Sequence, residues 1–277
     1  MKLPHIITPA CALLACAPLS HAALVWTGAG DGISAFQEAN WLDDNGLVPS
    51  AGTINGGTPI SAATGGLIEI SSGSGSPSNY SPAFTLATDS GDDLTVSGGK
   101  TLGGAGLIGG GAGSTLTVSN GASLLTGAIS AFTEFNFSNA TVDLTGSNGI
   151  NSANGAATML ISAGSSLITQ FIANSGNTTN ITVDGLSSLE ILGTGNGINN
   201  AKVNLLTGAT LTLASEAELD EQIGQNDIFV NNTLVTLANR DTLLTVTGGQ
   251  AIAVPEPTTT SLLGLAGITL ILRRRKG

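Results

Sequence analysis

Apolar and polar residues alternate in short bursts through the middle of the chain, and the bursts recur. The phrases are Leu94-Thr95-Val96-Ser97-Gly98-Gly99, Leu116-Thr117-Val118-Ser119-Asn120-Gly121, Phe137-Ser138-Asn139-Ala140, Leu160-Ile161-Ser162-Ala163-Gly164, Ile181-Thr182-Val183-Asp184-Gly185 and Val203-Asn204-Leu205-Leu206-Thr207-Gly208. Their starts lie 22, 21, 23, 21 and 22 residues apart. A fixed period of this size marks stacked units, each burying an apolar face on its neighbours. Within a unit the order is apolar, polar, apolar, then a turn at Asn, Asp, Thr or Gly, then a second alternation such as Ala122-Ser123-Leu124-Leu125 or Ala209-Thr210-Leu211-Thr212-Leu213. Period-2 alternation of Thr, Val, Ile and Leu predicts strands, and Gly and Asn supply corners with positive φ. Two or three short strands per 22 residues predict one coil of a right-handed parallel β-helix, each coil stacking on the next at ~4.8 Å. The fold class expected is therefore all-β, a solenoid with coils of about 22 residues.

The pattern extends beyond its clearest stretch. Leu67-Ile68-Glu69-Ile70 reads as an earlier coil, and Ile228-Phe229-Val230-Asn231-Asn232-Thr233-Leu234-Val235 and Leu244-Thr245-Val246-Thr247-Gly248-Gly249 as later ones, so the solenoid is expected over residues 51–250. Ser215-Glu216-Ala217-Glu218 has the form of a capping box and predicts a short helix through Ile223, with Leu219 and Ile223 on one face and Gly224 ending it. The Gly/Ser-rich stretches Gly73–Pro82 and Gly103–Gly113 are expected to be loops or broad corners. Two other readings of the same composition are a disordered Gly/Ser/Thr/Asn-rich chain and a β-sandwich. The 41% hydrophobic content argues against disorder, because it gives the chain something to bury.

Both ends differ from the middle. At the amino end Lys2 is followed by the mostly apolar Ile6–Leu19, and Ser20-His21-Ala22 puts small residues at the −3 and −1 positions of a signal-peptidase site. Residues 1–22 are thus expected to be a signal peptide cut between Ala22 and Ala23, with the Sec translocon and signal peptidase as partners. Leu13-Leu14-Ala15-Cys16 also resembles a lipobox, which leaves lipidation at Cys16 open. At the carboxyl end, residues 251–277 hold Val254-Pro255-Glu256-Pro257, an apolar run from Thr258 to Leu272, and the cations Arg273, Arg274, Arg275 and Lys276. Fifteen helical residues span ~22 Å, short of the ~30 Å hydrocarbon core. Such a short hydrophobic helix holds a chain only transiently in the inner membrane, and its cations leave the preceding body on the far side.

The order Pro-Glu-Pro, apolar run, Arg cluster resembles the PEP-CTERM sorting signal of exported proteins in Gram-negative bacteria. The resemblance implies recognition by an exosortase, processing near Pro255-Glu256-Pro257, and release or attachment at the cell surface. A plain C-terminal membrane anchor is the other reading of the tail. Residues 23–50 hold both tryptophans, in Trp26-Thr27-Gly28-Ala29-Gly30-Asp31-Gly32 and Asn40-Trp41, with Phe36 between them. This opening is similar to that of many PEP-CTERM and autotransporter-like surface proteins. The aromatic residues suit a cap over the open end of a repetitive sheet, or a platform on which sugar rings stack.

Without residues 1–22 the body has no cysteine and no histidine, since Cys11, Cys16, His5 and His21 all lie in the leader. Disulfides, thiolate or imidazole metal sites and Ser-His-Asp triads are thereby excluded. With the tail from Glu256 also removed, Lys100, Lys202 and Arg240 face eighteen acids, a net charge of −15. That charge excludes nucleic acid as a partner. A glycosidase needs two carboxylates about 5–10 Å apart. The candidates Asp89, Asp92, Asp93, Asp143 and Asp184 do not fall at equivalent places in the repeat, and the three cations a lyase would draw on are scattered, so no catalytic residues are assigned. Asp43-Asp44-Asn45-Gly46 and Asp89-Ser90-Gly91-Asp92-Asp93 concentrate oxygen ligands of the kind Ca²⁺ prefers, although Asx turns account for them as well. No cofactor or metal site is otherwise expected. Asn196, Asn199, Asn200, Asn231 and Asn232 are candidates for amide ladders at coil corners. The function expected is that of an exported, non-catalytic structural or adhesive protein of the cell surface or exopolysaccharide matrix. The alternatives are a polysaccharide-binding or polysaccharide-degrading protein on the same fold, and a passive spacer for the tail.

Overall fold

Three sheets wound from short strands build the body. The computed structural model describes residues 23–255 except 33–36, 44, 50–66, 75, 78–84, 88–92, 105–106, 145–148 and 152–154. Each complete coil places one strand in each sheet. Thr115–Ser119 lies in sheet 1, Ser123–Leu125 in sheet 2 and Ala128–Ser130 in sheet 3, and the next coil repeats the order with Glu134–Ser138, Thr141–Leu144 and Ile150–Asn151. Sheet 1 has eleven strands, sheet 2 eight and sheet 3 six, and about six turns of about 22 residues stack in parallel.

Register turns the alternation into ladders. On sheet 1, Ile68, Leu94, Leu116, Phe135, Met159, Ile181, Val203 and Ile228 stand above one another inside the solenoid. Sheet 2 contributes Leu102, Leu124, Val142, Leu167, Leu189 and Leu211. Sheet 3 contributes Ile108, Ile129, Ile150, Ile172 and Ile198, all fully buried. Burying one such side chain stabilises by ~1.5–3 kcal/mol. The ladders are mostly aliphatic, with Phe132, Phe135 and Phe137 added to them, successive rings meeting edge to face.

Three expectations need correcting. The repeat phrases beginning at Phe137 and Leu160 are out of register with the others: Phe137 pairs with Val118 and Ile161, and Leu160 points outward, 43% exposed, between buried Met159 and Ile161. An apolar residue on the solvent face disguises the phase of an alternation, because a slip of one residue exchanges the two faces. The stretch Gly103–Gly113 is more than a loop, since Leu107–Gly109 is a strand of sheet 3 that carries Ile108 into the isoleucine ladder. The segments after Ile228 are not further coils. Ile228–Val230 extends sheet 1, but Thr233–Leu234 folds back antiparallel upon it, and Leu244–Thr247 and Gln250–Ala253 form an antiparallel hairpin laid on Thr210–Leu213 of sheet 2.

The helix α1 (Glu216–Gly224) follows the sheet 2 strand Thr210–Leu213, taking the place in the coil order where a sheet 3 strand would come. Half of the predicted capping box forms: the Ser215 hydroxyl accepts the Glu218 amide, and Leu219 and Ile223 are buried, but the Glu218 carboxylate does not return to the Ser215 amide. Glu218 in turn accepts the Gly195 amide at 2.8 Å, tying the helix to the corner before the last sheet 3 strand, Ile198–Asn199. Arg240, which opens the short helix α2 (Arg240–Leu243), bridges back to α1 through Glu216 and through Asp220 at 2.6 Å.

Candidate functional site

The amino end is built around two indoles and one amide. Ala23–Trp26 runs parallel to Leu67–Ile70 and antiparallel to Trp41–Leu42, so these two strands extend sheet 1 at its first described edge. Trp26 and Trp41 are fully buried and meet edge to face with centroids 5.2 Å apart. Neither presents a ring face to solvent, which rules against the sugar platform. The Asn of Asn40-Trp41 has its own work. Fully buried, its side-chain oxygen accepts the amides of Gly30 and Gly32 at 2.8 and 3.1 Å, and its nitrogen donates to Asp31 at 2.7 Å. Gly28 and Gly73 cross next to it, both at positive φ. A Cβ on Gly73 would lie 2.2 Å from the carbonyl oxygen of Thr27, which explains the glycine in this corner. Phe36 lies outside the described residues.

The candidate carboxylates separate by location. Asp143 is on the outer face of sheet 2, while Asp184 sits at a corner following sheet 1. Asp184 is a staple between coils: its oxygens accept the Ala163 amide at 2.6 Å, the Ser187 hydroxyl at 2.6 Å and the Leu186 amide at 3.1 Å. Burial raises its pKa, but the Ser187 hydroxyl and the Ala163, Leu186 and Ser187 amides outweigh it and leave the group below its usual value. Ala163 tolerates its left-handed φ of 54° within this set of bonds. Asp93 accepts the Thr115 amide of the next coil at 2.8 Å. Asp43 accepts the Asn45 and Leu47 amides, both at 2.9 Å, an Asx turn whose bonds, led by Leu47, lower its pKa. Asp44, Asp89 and Asp92 lie outside the described residues. The cations are as dispersed as the sequence suggests: Lys100 donates to the Gly73 carbonyl, Lys202 stands over the Phe229 ring at 5.7 Å, and Arg240 bridges α1 and α2.

Register brings together a pair that sequence reading missed. Asp143 pairs with Ile168, and Ile168 with Glu190, so the two acids occupy one outward row two coils apart with an aliphatic residue between them. Their spacing, 47 residues, exceeds two periods of 22 by three and hides the alignment. The amide ladders exist in altered form. Asn200 donates to the Asn174 carbonyl at 2.8 Å, Asn231 exchanges bonds with Thr207, and Asn232 with Asn204 of the preceding coil.

The carboxyl end of the body is closed by the strand Gln250–Ala253. It pairs antiparallel with Thr210–Thr212 on one side and Leu244–Thr247 on the other. Ala253, almost fully buried, accepts the Gly208 amide at 2.8 Å and donates to the Ala209 carbonyl at 3.1 Å. One residue later Val254 donates to Leu243 at 3.0 Å, and Pro255 is exposed. A family model described as the PEP-CTERM protein-sorting motif matches residues 253–276. The chain carries a PEP-CTERM sorting signal. Searches among curated proteins and among solved structures found no match.

The PEP-CTERM signal thus starts on the last residue of the body's last strand, Val254 is the first residue beyond the sheet, and the exposed Pro255 follows it. Export and exosortase-dependent sorting at the membrane follow from the signal. Glu256, Pro257 and the cations Arg273, Arg274, Arg275 and Lys276 lie outside the described residues, as does the apolar run 258–272. Among the described residues no helix is long and apolar enough to cross a membrane. At the other end Ala22 also lies outside them, while Ala23 opens the first strand, opposite Leu67.

Proposed function

We propose that the body is a non-catalytic structural and adhesive element of the cell surface or exopolysaccharide matrix, delivered there by its PEP-CTERM signal. The observation that carries this reading is the run of parallel ladders from Ile68 to Ile228, closed at both ends by antiparallel strands. A stack of this kind is a rod whose backbone groups are paired along its length and whose ends are blunted against self-association. Its acids support the same reading: Asp43, Asp93 and Asp184 hold turns and join coils through hydrogen bonds to backbone amides.

The test is to fractionate cells and medium and read both termini of the native protein by mass spectrometry. A chain beginning at Ala23, ending near Pro255 and recovered with the extracellular matrix supports the proposal. An intact Arg273–Lys276 tail in the inner membrane would overturn it in favour of an anchored periplasmic protein.

A further inference from the structure

Sheet 2 presents two outward rows with different chemistry. The first is Thr101, Ser123, Thr141, Ser166, Ser188 and Thr210, six hydroxyl residues on six consecutive strands, each in register with the next. Their side chains lie on the solvent side of the alternation, and none donates to or accepts from another described residue through its hydroxyl. At ~4.8 Å per coil the row runs for roughly 24 Å parallel to the solenoid axis. Two residues along each strand is a second row, Leu125, Asp143, Ile168, Glu190 and Thr212. Here aliphatic and acidic side chains alternate, and Leu125 is 42% exposed. The strands of this sheet bear no lysine or arginine.

We propose that this outer face of sheet 2 binds an extended, uncharged polysaccharide lying along the solenoid axis. The inference rests on the matrix reading above and names its ligand class. A small ligand meets only two or three of the six hydroxyls, whereas a polymer of sugar rings repeats its own hydroxyls in one direction and meets all of them. The hydroxyl row both donates and accepts, as sugar hydroxyls do. Asp143 and Glu190 accept from neutral hydroxyls in charge-assisted hydrogen bonds, and Leu125 and Ile168 offer apolar surface to the C–H faces of the rings between them. Charge decides against a polyanion: the face is purely acidic and the body carries −15, so a polyuronate is repelled. The outer face of sheet 1 lacks this order, since its equivalent row reads Glu69, Thr95, Thr117, Asn136, Leu160, Thr182, Asn204, Phe229.

Affinity electrophoresis of the mature protein in gels containing hydroxyethylcellulose, xylan, polygalacturonate or chitosan tests this. The probe variant is Thr141→Val with Ser166→Val and Ser188→Val, which removes three hydroxyls while keeping strand-favouring side chains. The control is Thr95→Val with Thr117→Val on sheet 1, and circular dichroism melts confirm that both fold. A second probe, Asp143→Asn with Glu190→Gln, changes no shape. The expected result is retardation by an uncharged polymer but not by polygalacturonate. Each sheet 2 variant should lose about tenfold or more in affinity, while the control is unchanged. Sheet 2 variants retarded like the wild type would overturn the inference. So would retardation by chitosan alone that salt abolishes, because the net charge suffices for that. A chain found in the matrix fraction of cells yet retarded by none of the uncharged polymers removes this inference and leaves the matrix reading standing. A chain absent from the matrix fraction and retarded by none of the uncharged polymers removes both.

Discussion

Asp227 precedes the strand Ile228–Val230, its carbonyl accepting the Val203 amide at 2.8 Å. Burial pushes its carboxyl from 3.8 up to about 6, against the attraction of Lys202, which stands over Phe229. A carboxyl whose folded pKa exceeds its unfolded one binds its proton more tightly in the native state. Its favourable contribution is complete below pH 3.8 and is lost as pH rises through about 6, above which a partly buried charge opposes the fold. Asp227→Asn is therefore expected to stabilise the protein at pH 7 by ~1 kcal/mol, a figure discounted for solvent screening at a half-exposed site, and to do nothing near pH 3.5. Urea melts at the two pH values check this, and an equal effect at both would place the gain elsewhere. Asp184 has the opposite sign. Its lowered pKa adds stability above its unfolded value near 3.8, and that stability disappears as pH falls through the folded value. Asp227 and Asp184 thus respond to acid in opposite senses.

The turn that closes sheet 2 separates two glycines that look alike in the sequence. Gly248 and Gly249 form the two-residue loop between Thr247 and Gln250, with φ of 57° and 91°, the primed turn that matches strand twist. A Cβ on Gly248 meets nothing within 4 Å, whereas one on Gly249 would lie 2.7 Å from the Leu213 carbonyl oxygen. Gly248→Asn is expected to melt within a degree or two of wild type, while Gly249→Ala should cost ~2 kcal/mol or more, read from thermal unfolding. The same loop marks how far the sequence could be read. Period-2 alternation and corner glycines made the coils legible, and Ser215 with Glu218 made α1 legible. Gly248-Gly249 and Asn231-Asn232 between apolar runs are hairpin signals, yet apolar, polar, apolar segments read the same whether the strand beyond them continues the coil or reverses. The strands of sheet 3 were hidden because they are only two or three residues long, too short to display alternation. The isoleucines they carry, at 108, 129, 150, 172 and 198, were a repeat in plain view, with steps of 21, 21, 22 and 26. The outward rows of sheet 2 needed the register itself, because coil lengths vary by several residues and a fixed period cannot align Asp143 with Glu190.

Among the described residues the first strand opens at Ala23 and the last ends at Ala253, so at the carboxyl end the first residue of the PEP-CTERM match is also the last residue of the sheets. The consequence is that removal of the tail has a sharp structural limit. A chain ending after Pro255 keeps Gln250–Ala253, with its seven register pairs to Thr210–Thr212 and Leu244–Thr247, and keeps the Val254 to Leu243 bond. A chain ending after Gly249 loses those pairings and uncovers the edge of Thr210–Leu213, where Leu211 is fully buried and Leu213 nearly so. Each net backbone bond is worth ~0.5–1.5 kcal/mol, so the shorter chain should be less stable by roughly 3 kcal/mol or more. Its bare edge is also a template for pairing with another copy. Thermal unfolding and size-exclusion chromatography of the two truncations, both beginning at Ala23, are the check. The chain ending at Pro255 should melt as a monomer, and the one ending at Gly249 should melt earlier and associate. If the two behave alike, Gln250–Ala253 is dispensable and belongs with the tail. If they differ as expected, the body keeps its closing strand only when the exosortase cuts beyond Ala253, which makes the folded end of the solenoid itself a boundary for processing.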